Sequence, residues 1–99
     1  MTLGDAGLRH EVLAMFLRQT AELVHELLGK LAARSGEGAA LAHTLKGSAC
    51  AIGAFRVAAC AEALEAAIRH GSDPSRALTE LEAAIAEARA SIEVILERP

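Results

Sequence analysis

The chain has no tryptophan and no tyrosine, and aromatic residues make up only 2% of it. Its interior must therefore be built from Leu, Ile, Val and Ala, which dominate a hydrophobic content of 53%. β-Branched residues are sparse and there are only two prolines, whereas the strong helix formers Ala, Leu, Glu and Arg abound. This composition excludes a sheet-based fold and predicts an all-α protein. The only cysteines, Cys50 and Cys60, lack zinc-site spacing and make a poor disulfide framework, which fits a reducing, intracellular compartment. The net charge is −3 and the pI about 5.8, so no basic stripe is available to neutralise phosphates, and nucleic acid is not expected as a partner. The apolar runs fall short of the roughly 18 residues that a membrane span needs. The start Met1-Thr2-Leu3-Gly4-Asp5 has no basic region of the secretory type. A soluble cytoplasmic protein is expected, with residues 1–99 forming one domain.

The apolar residues recur at helical spacing in four segments. Helix one is expected from about Asp5 to Ala33, with Thr2 and Asp5 as a capping box. Its stripe of Leu8, Val12, Phe16, Leu23, Leu27 and Leu31 is widened by Leu13, Leu17, Val24 and Leu28 beyond what one seam needs. Gly29 is an internal weak point or an early end. A turn over Ser35-Gly36-Glu37-Gly38, with Ser35 as the cap, leads into helix two, Glu37 to Ile52, which Gly53 ends in the left-handed conformation. Helix three, Phe55 to His70, has the core stripe Val57, Cys60, Ala61, Leu64 and Ile68 and stops at Gly71. Asp73 as cap and Pro74 at the first helical position open helix four, in which Leu78, Leu81, Ile85, Ala88, Ile92 and Ile95 form the inner stripe. Short connections force neighbouring helices antiparallel, so the expected architecture is an up-down-up-down four-helix bundle.

Helix two carries the candidate site. At 3.6 residues per turn, Leu41, Leu45, Ser48 and Ile52 form one face with Ala49 at its edge, and His43 points almost directly away from it. Lys46, Gly47 and Cys50 share the outer stripe with His43, at the i+3, i+4 and i+7 positions. Neutral imidazole is a competent nucleophile towards phosphorus near physiological pH, and the P–N bond it forms is labile, which suits a carrier. Lys46 is placed to offset phosphoryl charge. A mid-helix glycine costs about 1 kcal/mol relative to alanine. Gly47, in a chain that uses alanine freely, therefore points to steric clearance for a visiting protein. Ser48 faces inward or to the flank, where its hydroxyl can bond to backbone or help fix the helix beside the site.

The stretch Ala42 to Glu65, AHTLKGSACAIGAFRVAACAEALE, resembles the signature of histidine-containing phosphotransfer (HPt) domains: H-x-L-K-G-S, a small turn with Gly-Ala, then a helix ending in Leu-Glu. His43, Leu45, Lys46, Gly47, Ser48, Gly53, Ala54, Leu64 and Glu65 match. The resemblance implies a bundle module of a multistep phosphorelay, with His43 as phosphoacceptor, Lys46 as the phosphate-proximal cation and Gly47 as the clearance residue. It implies no ATP site and no cofactor in this chain, the aspartate and Mg²⁺ belonging to a response-regulator receiver domain. The partners implied are that receiver and a sensor or hybrid histidine kinase, the chain being a monomeric phosphoryl carrier rather than an enzyme. Two departures stand out. Many family members place a short capping helix before the first bundle helix, whereas helix one here begins almost at once. Position 50 is cysteine where other small residues are common, which raises a redox role for Cys50.

Other readings are separable. The same bundle can serve as an adaptor or inhibitor that binds a receiver or kinase without being phosphorylated, a role suggested by the broad apolar face of helix one. The dimerisation and histidine domain of a sensor kinase usually has an acidic residue right after the histidine, where this chain has Thr44. His10, His25 and His70 lack metal-ligand spacing to one another, and no metal site is expected.

Overall fold

A computed structural model describes residues 5–98, and the side chains from Gly7 onward. Four helices follow in order: α1, Asp5–Ala32; α2, Gly38–Ala51; α3, Phe55–Arg69; and α4, Ser75–Leu96. Each packs on its two neighbours in an antiparallel ring, α1 on α2, α2 on α3, α3 on α4 and α4 back on α1, with the α2–α3 interface the most extensive and α1–α4 the least. This is the all-α four-helix bundle that the periodicity predicts, with boundaries within two residues of those expected. Thr2 and the question of a preceding capping helix lie outside the described residues, as does the side chain of Asp5, so the capping box proposed for Thr2 and Asp5 falls there too.

The signals at Asp73 and Gly53 act as read, whereas Ser35 does not cap α2 itself: the cap position is Glu37, which makes no side-chain cap hydrogen bond. The Ser35 hydroxyl accepts from the Glu37 N–H at 3.2 Å, opening the turn just ahead of α2. The Asp73 carboxylate accepts from the Ser75 N–H at 2.9 Å and from the Ser75 hydroxyl at 2.7 Å, capping α4 around Pro74. Gly53 has φ +80°, and Ala54 N–H closes back on the Ala49 carbonyl at 2.8 Å, the wrapped end typical of a glycine-stopped helix. Gly29 does not end α1, which runs three residues further to Ala32. The left-handed residue after α1 is Arg34, with φ +55°, a position where no glycine is present.

Among the described residues, the buried side chains are aliphatic apart from Phe16 and Thr20. Leu27, Leu45, Leu64 and Leu81, one from each helix, are all but inaccessible to solvent. The α1 stripe differs from the expected one: Leu13, Phe16, Thr20 and Leu27 are buried, while Leu8, Val12 and Leu28 are exposed. A stripe ten residues wide cannot all fit into seams with two neighbours, and the set that wins is the one rotated towards α2 and α4. Its cost is Thr20, whose buried hydroxyl has no hydrogen-bond partner among the described residues.

The inner face of α2 is also rotated. Its buried residues are Gly38, Ala39, Ala42, Leu45 and Ala49, whereas Leu41, Ser48 and Ile52 are half-buried flanks. At about 100° per residue, the centre of this face lies roughly 80° from the one that the larger side chains define. The cause is the alanine texture of the α2–α3 interface. Ala42 and Ala49 on α2 and Ala58 and Ala61 on α3 are all buried, and their small side chains let the two backbones approach closely.

Candidate functional site

The rotation of α2 decides the surroundings of His43. The ring stands on the flank of α2, beside α3, rather than opposite the core, and its side chain is still 65% exposed. Nδ1 lies 3.2 Å from Oε1 of Glu65, a carboxylate only 13% exposed. The Arg69 guanidinium, one turn further along α3, donates from Nε to Glu65 Oε2 at 2.9 Å, with Nη2 also 2.9 Å from that oxygen. Arg69 first, and His43 in addition, hold the Glu65 carboxyl below its ordinary range against the opposing effect of its burial. Glu65 is therefore an ionised, acceptor-only partner at neutral pH. An acceptor-only partner at Nδ1 favours the tautomer with the proton on that nitrogen, which leaves the lone pair on Nε2. Nε2 has no hydrogen-bond partner among the described residues.

One turn along α2, the Lys46 Nζ donates to Glu62 Oε2 at 3.0 Å, and this hydrogen bond is the main reason its ammonium holds its proton more tightly than usual. Both α2–α3 pairs have Ala54 as their midpoint. A helical hairpin closed by so short a turn pairs residues equidistant from it, so the Gly53-Ala54 connection sets His43 against Glu65 and Lys46 against Glu62. Lys46 is about one-third exposed, and its partner Glu62 is largely exposed.

Gly47 is exposed, and a Cβ built on it meets nothing within 4 Å. Among the described residues, no packing demand accounts for the missing side chain. Ser48 is half-buried, and its hydroxyl donates to the Gln19 side-chain oxygen of α1 at 3.4 Å, so it ties α2 to α1 rather than bonding to backbone. Cys50 is an exposed free thiol and Cys60 a half-buried one. Arg56 forms an ion pair with Glu87 of α4, at the bundle end away from His43. The Glu-x-x-His spacing used by carboxylate-bridged metal bundles does occur once, at Glu22 and His25, but both are exposed. Among the described residues no group of three His, Cys, Asp or Glu side chains is placed to hold a metal ion. No described helix is long and apolar enough to cross a membrane.

The four residues singled out in the sequence thus share one stretch of α2, with His43, Lys46 and Gly47 on its outer side and Ser48 on the flank towards α1. Glu62, Glu65 and Arg69 complete the surroundings from α3. The family model described as the Hpt domain matches residues 11–91, which include α2 and α3 entirely and most of α1 and α4. The chain belongs to the Hpt domain family. Hpt domains are phosphocarriers that meet receiver domains and histidine kinases, and membership of the family implies a phosphotransfer role in two-component signalling. No curated protein and no solved structure matches the chain.

A groove of about 750 Å³ opens at the end of this Hpt bundle where α2 turns into α3. Leu8, Val12, Ile52, Phe55 and Ile95 line it, and the Arg56–Glu87 pair stands at its side.

Proposed function

We propose that the chain is a phosphorelay intermediate that carries a phosphoryl group on Nε2 of His43. It accepts the group from a receiver-domain aspartate, or from a sensor or hybrid histidine kinase, and passes it to another receiver. The observation that supports this best is the exposed imidazole whose Nδ1 faces an ionised, half-buried Glu65, because that pairing leaves the nucleophilic lone pair on the outer nitrogen.

In the step from an aspartyl phosphate, the Nε2 lone pair forms the new P–N bond. The P–O bond breaks, and its electron pair leaves with the aspartate carboxylate. The Nδ1 proton stays where it is, so the ring becomes cationic and Glu65 stabilises that charge, held in place by Arg69. Lys46 supplies positive charge to the phosphoryl oxygens, Gly47 leaves room for the partner's active site, and Ser48 anchors the helix to α1. Mg²⁺ acts in the partner receiver and no cofactor belongs to this chain. Its own rate enhancement is modest, as suits a carrier.

The test is to incubate the protein with a phosphorylated receiver and Mg²⁺ and to follow label that is acid-labile and base-stable. His43→Gln is expected to take no label; a variant labelled as well as wild type sinks the proposal. The adaptor reading draws on the exposed Leu8, Val12 and Phe55 beside the groove, which offer a protein-binding surface independent of His43. It predicts full biological effect in a strain carrying His43→Ala, where the carrier reading predicts loss.

A further inference from the structure

The carrier reading leaves one strongly placed group without a task, and the inference drawn from it rests on that reading. Lys46 is the cation nearest His43 on α2, yet its ammonium is bonded at 3.0 Å to the Glu62 carboxylate. The other cation at the site, Arg69, is bonded to Glu65. Before phosphorylation the two cations and the two carboxylates are therefore matched. A phosphoryl group on His43 adds between about one and two negative charges, and neither cation is unpaired to meet them. A lysine shared with a carboxylate gives the phosphoryl group only part of its charge. We infer that Glu62 is a positioning residue that draws part of the charge of Lys46 away from the phosphoryl group on His43, and so keeps that group easy to pass on.

The exposure of the pair makes the device workable. Glu62 is largely solvent-exposed and Lys46 partly so, and an exposed ion pair is weak enough to be shared or broken when a stronger anion arrives. The carboxylate beside His43 is firmly engaged by Arg69, whereas among the described residues Glu62 has Lys46 alone. Glu62 thus competes with the phosphoryl group for one cation, while Glu65 serves the ring.

The experiment charges His43 directly with phosphoramidate, whose P–N bond breaks as the bond to Nε2 forms and whose nitrogen leaves as ammonia. The ³¹P shift of the phosphoprotein is then titrated with pH in wild type, Glu62→Gln, Lys46→Ala and the double variant. With Glu62 neutralised, Lys46 acts on the phosphoryl group alone, and the proton affinity of that group is expected to fall about threefold. Lys46→Ala is expected to raise it, and Glu62→Gln is expected to have little further effect once Lys46 is gone. In a second readout, phosphorylated wild type is mixed with Glu62→Gln and a trace of receiver with Mg²⁺. The label is expected to accumulate about threefold in favour of the variant. An unchanged affinity in Glu62→Gln, the same shift with and without Lys46, or an even distribution of label overturns the inference. A merely structural role for Glu62 would not depend on Lys46, and unchanged thermal denaturation of Glu62→Gln confirms the fold. If phosphoramidate puts no group on His43 at all, the carrier reading itself falls, a result distinct from the others.

Discussion

Filling the space above Gly47 is expected to separate stability from function in a single side chain. Gly47 lies inside α2, is exposed, and has no atom within 4 Å of where a Cβ would sit. Alanine there meets no clash and removes the conformational freedom that glycine keeps in the unfolded chain. The gain is about 1 kcal/mol, which in a domain of this size raises Tm by roughly 4–8 °C. Leucine has nearly the same helix propensity and is expected to stabilise almost as much. Function should run the other way. A receiver must bring its phosphoaspartate to bonding distance of His43, and a side chain one turn away stands in the approach. Transfer from a receiver is expected to slow modestly in Gly47→Ala and by about tenfold or more in Gly47→Leu, equivalent to about 1.4 kcal/mol in the barrier. Charging by phosphoramidate, which needs no docking, should change less than about twofold. The assay pairs thermal denaturation with both phosphodonors. Wild-type transfer rates from the receiver in Gly47→Leu would refute the clearance role, and a loss of stability in Gly47→Ala would refute the packing analysis.

Three further outcomes follow from the same geometry. Glu65→Leu removes the acceptor at Nδ1, so the ring samples the wrong tautomer and phosphoramidate charging should slow on the order of tenfold; an unchanged rate would show that Glu65 does not set the reactive nitrogen. Thr20→Val replaces a buried hydroxyl without a described partner by a methyl group, and should stabilise the bundle by about 1 kcal/mol in chemical denaturation; destabilisation would show that the hydroxyl is bonded. The Asp73 carboxyl is held below its ordinary range, first by the Ser75 hydroxyl and then by the Ser75 N–H. Its cap therefore contributes fully above the ordinary carboxylate range and is lost as pH falls through the depressed value. Asp73→Ala should lower Tm at neutral pH, with the gap closing on acidification, and a gap independent of pH would remove the charge from the account.

The helices were legible because apolar spacing, Pro74, Gly53 and Gly71 mark them independently of tertiary structure. The exposure of His43 was legible from the same period. What periodicity missed was the rotation of α2, because a wheel weighted by side-chain size puts Leu41 and Ile52 at the centre. In an interface built from Ala42, Ala49, Ala58 and Ala61, close backbone approach outweighs side-chain size, and the alanines take the centre. That rotation turns His43 and Lys46 towards α3, so the partners Glu65 and Glu62 went unassigned as site residues. A signal for them was present: a turn closed at Gly53-Ala54 fixes the register of α2 against α3, and counting outward from Ala54 reaches both carboxylates. Thr20 was hidden for a similar reason, since α1 offers ten apolar candidates and a polar residue takes a buried place among them.

The proposed relay chemistry rests on one nitrogen of one ring. It is tested most directly by ¹⁵N and ³¹P NMR of the protein after transfer from a phosphorylated receiver with Mg²⁺. A single phosphoryl group on Nε2 of His43, with the proton on Nδ1, is the expected result. A phosphoryl group on Nδ1, on another residue, or on none contradicts it.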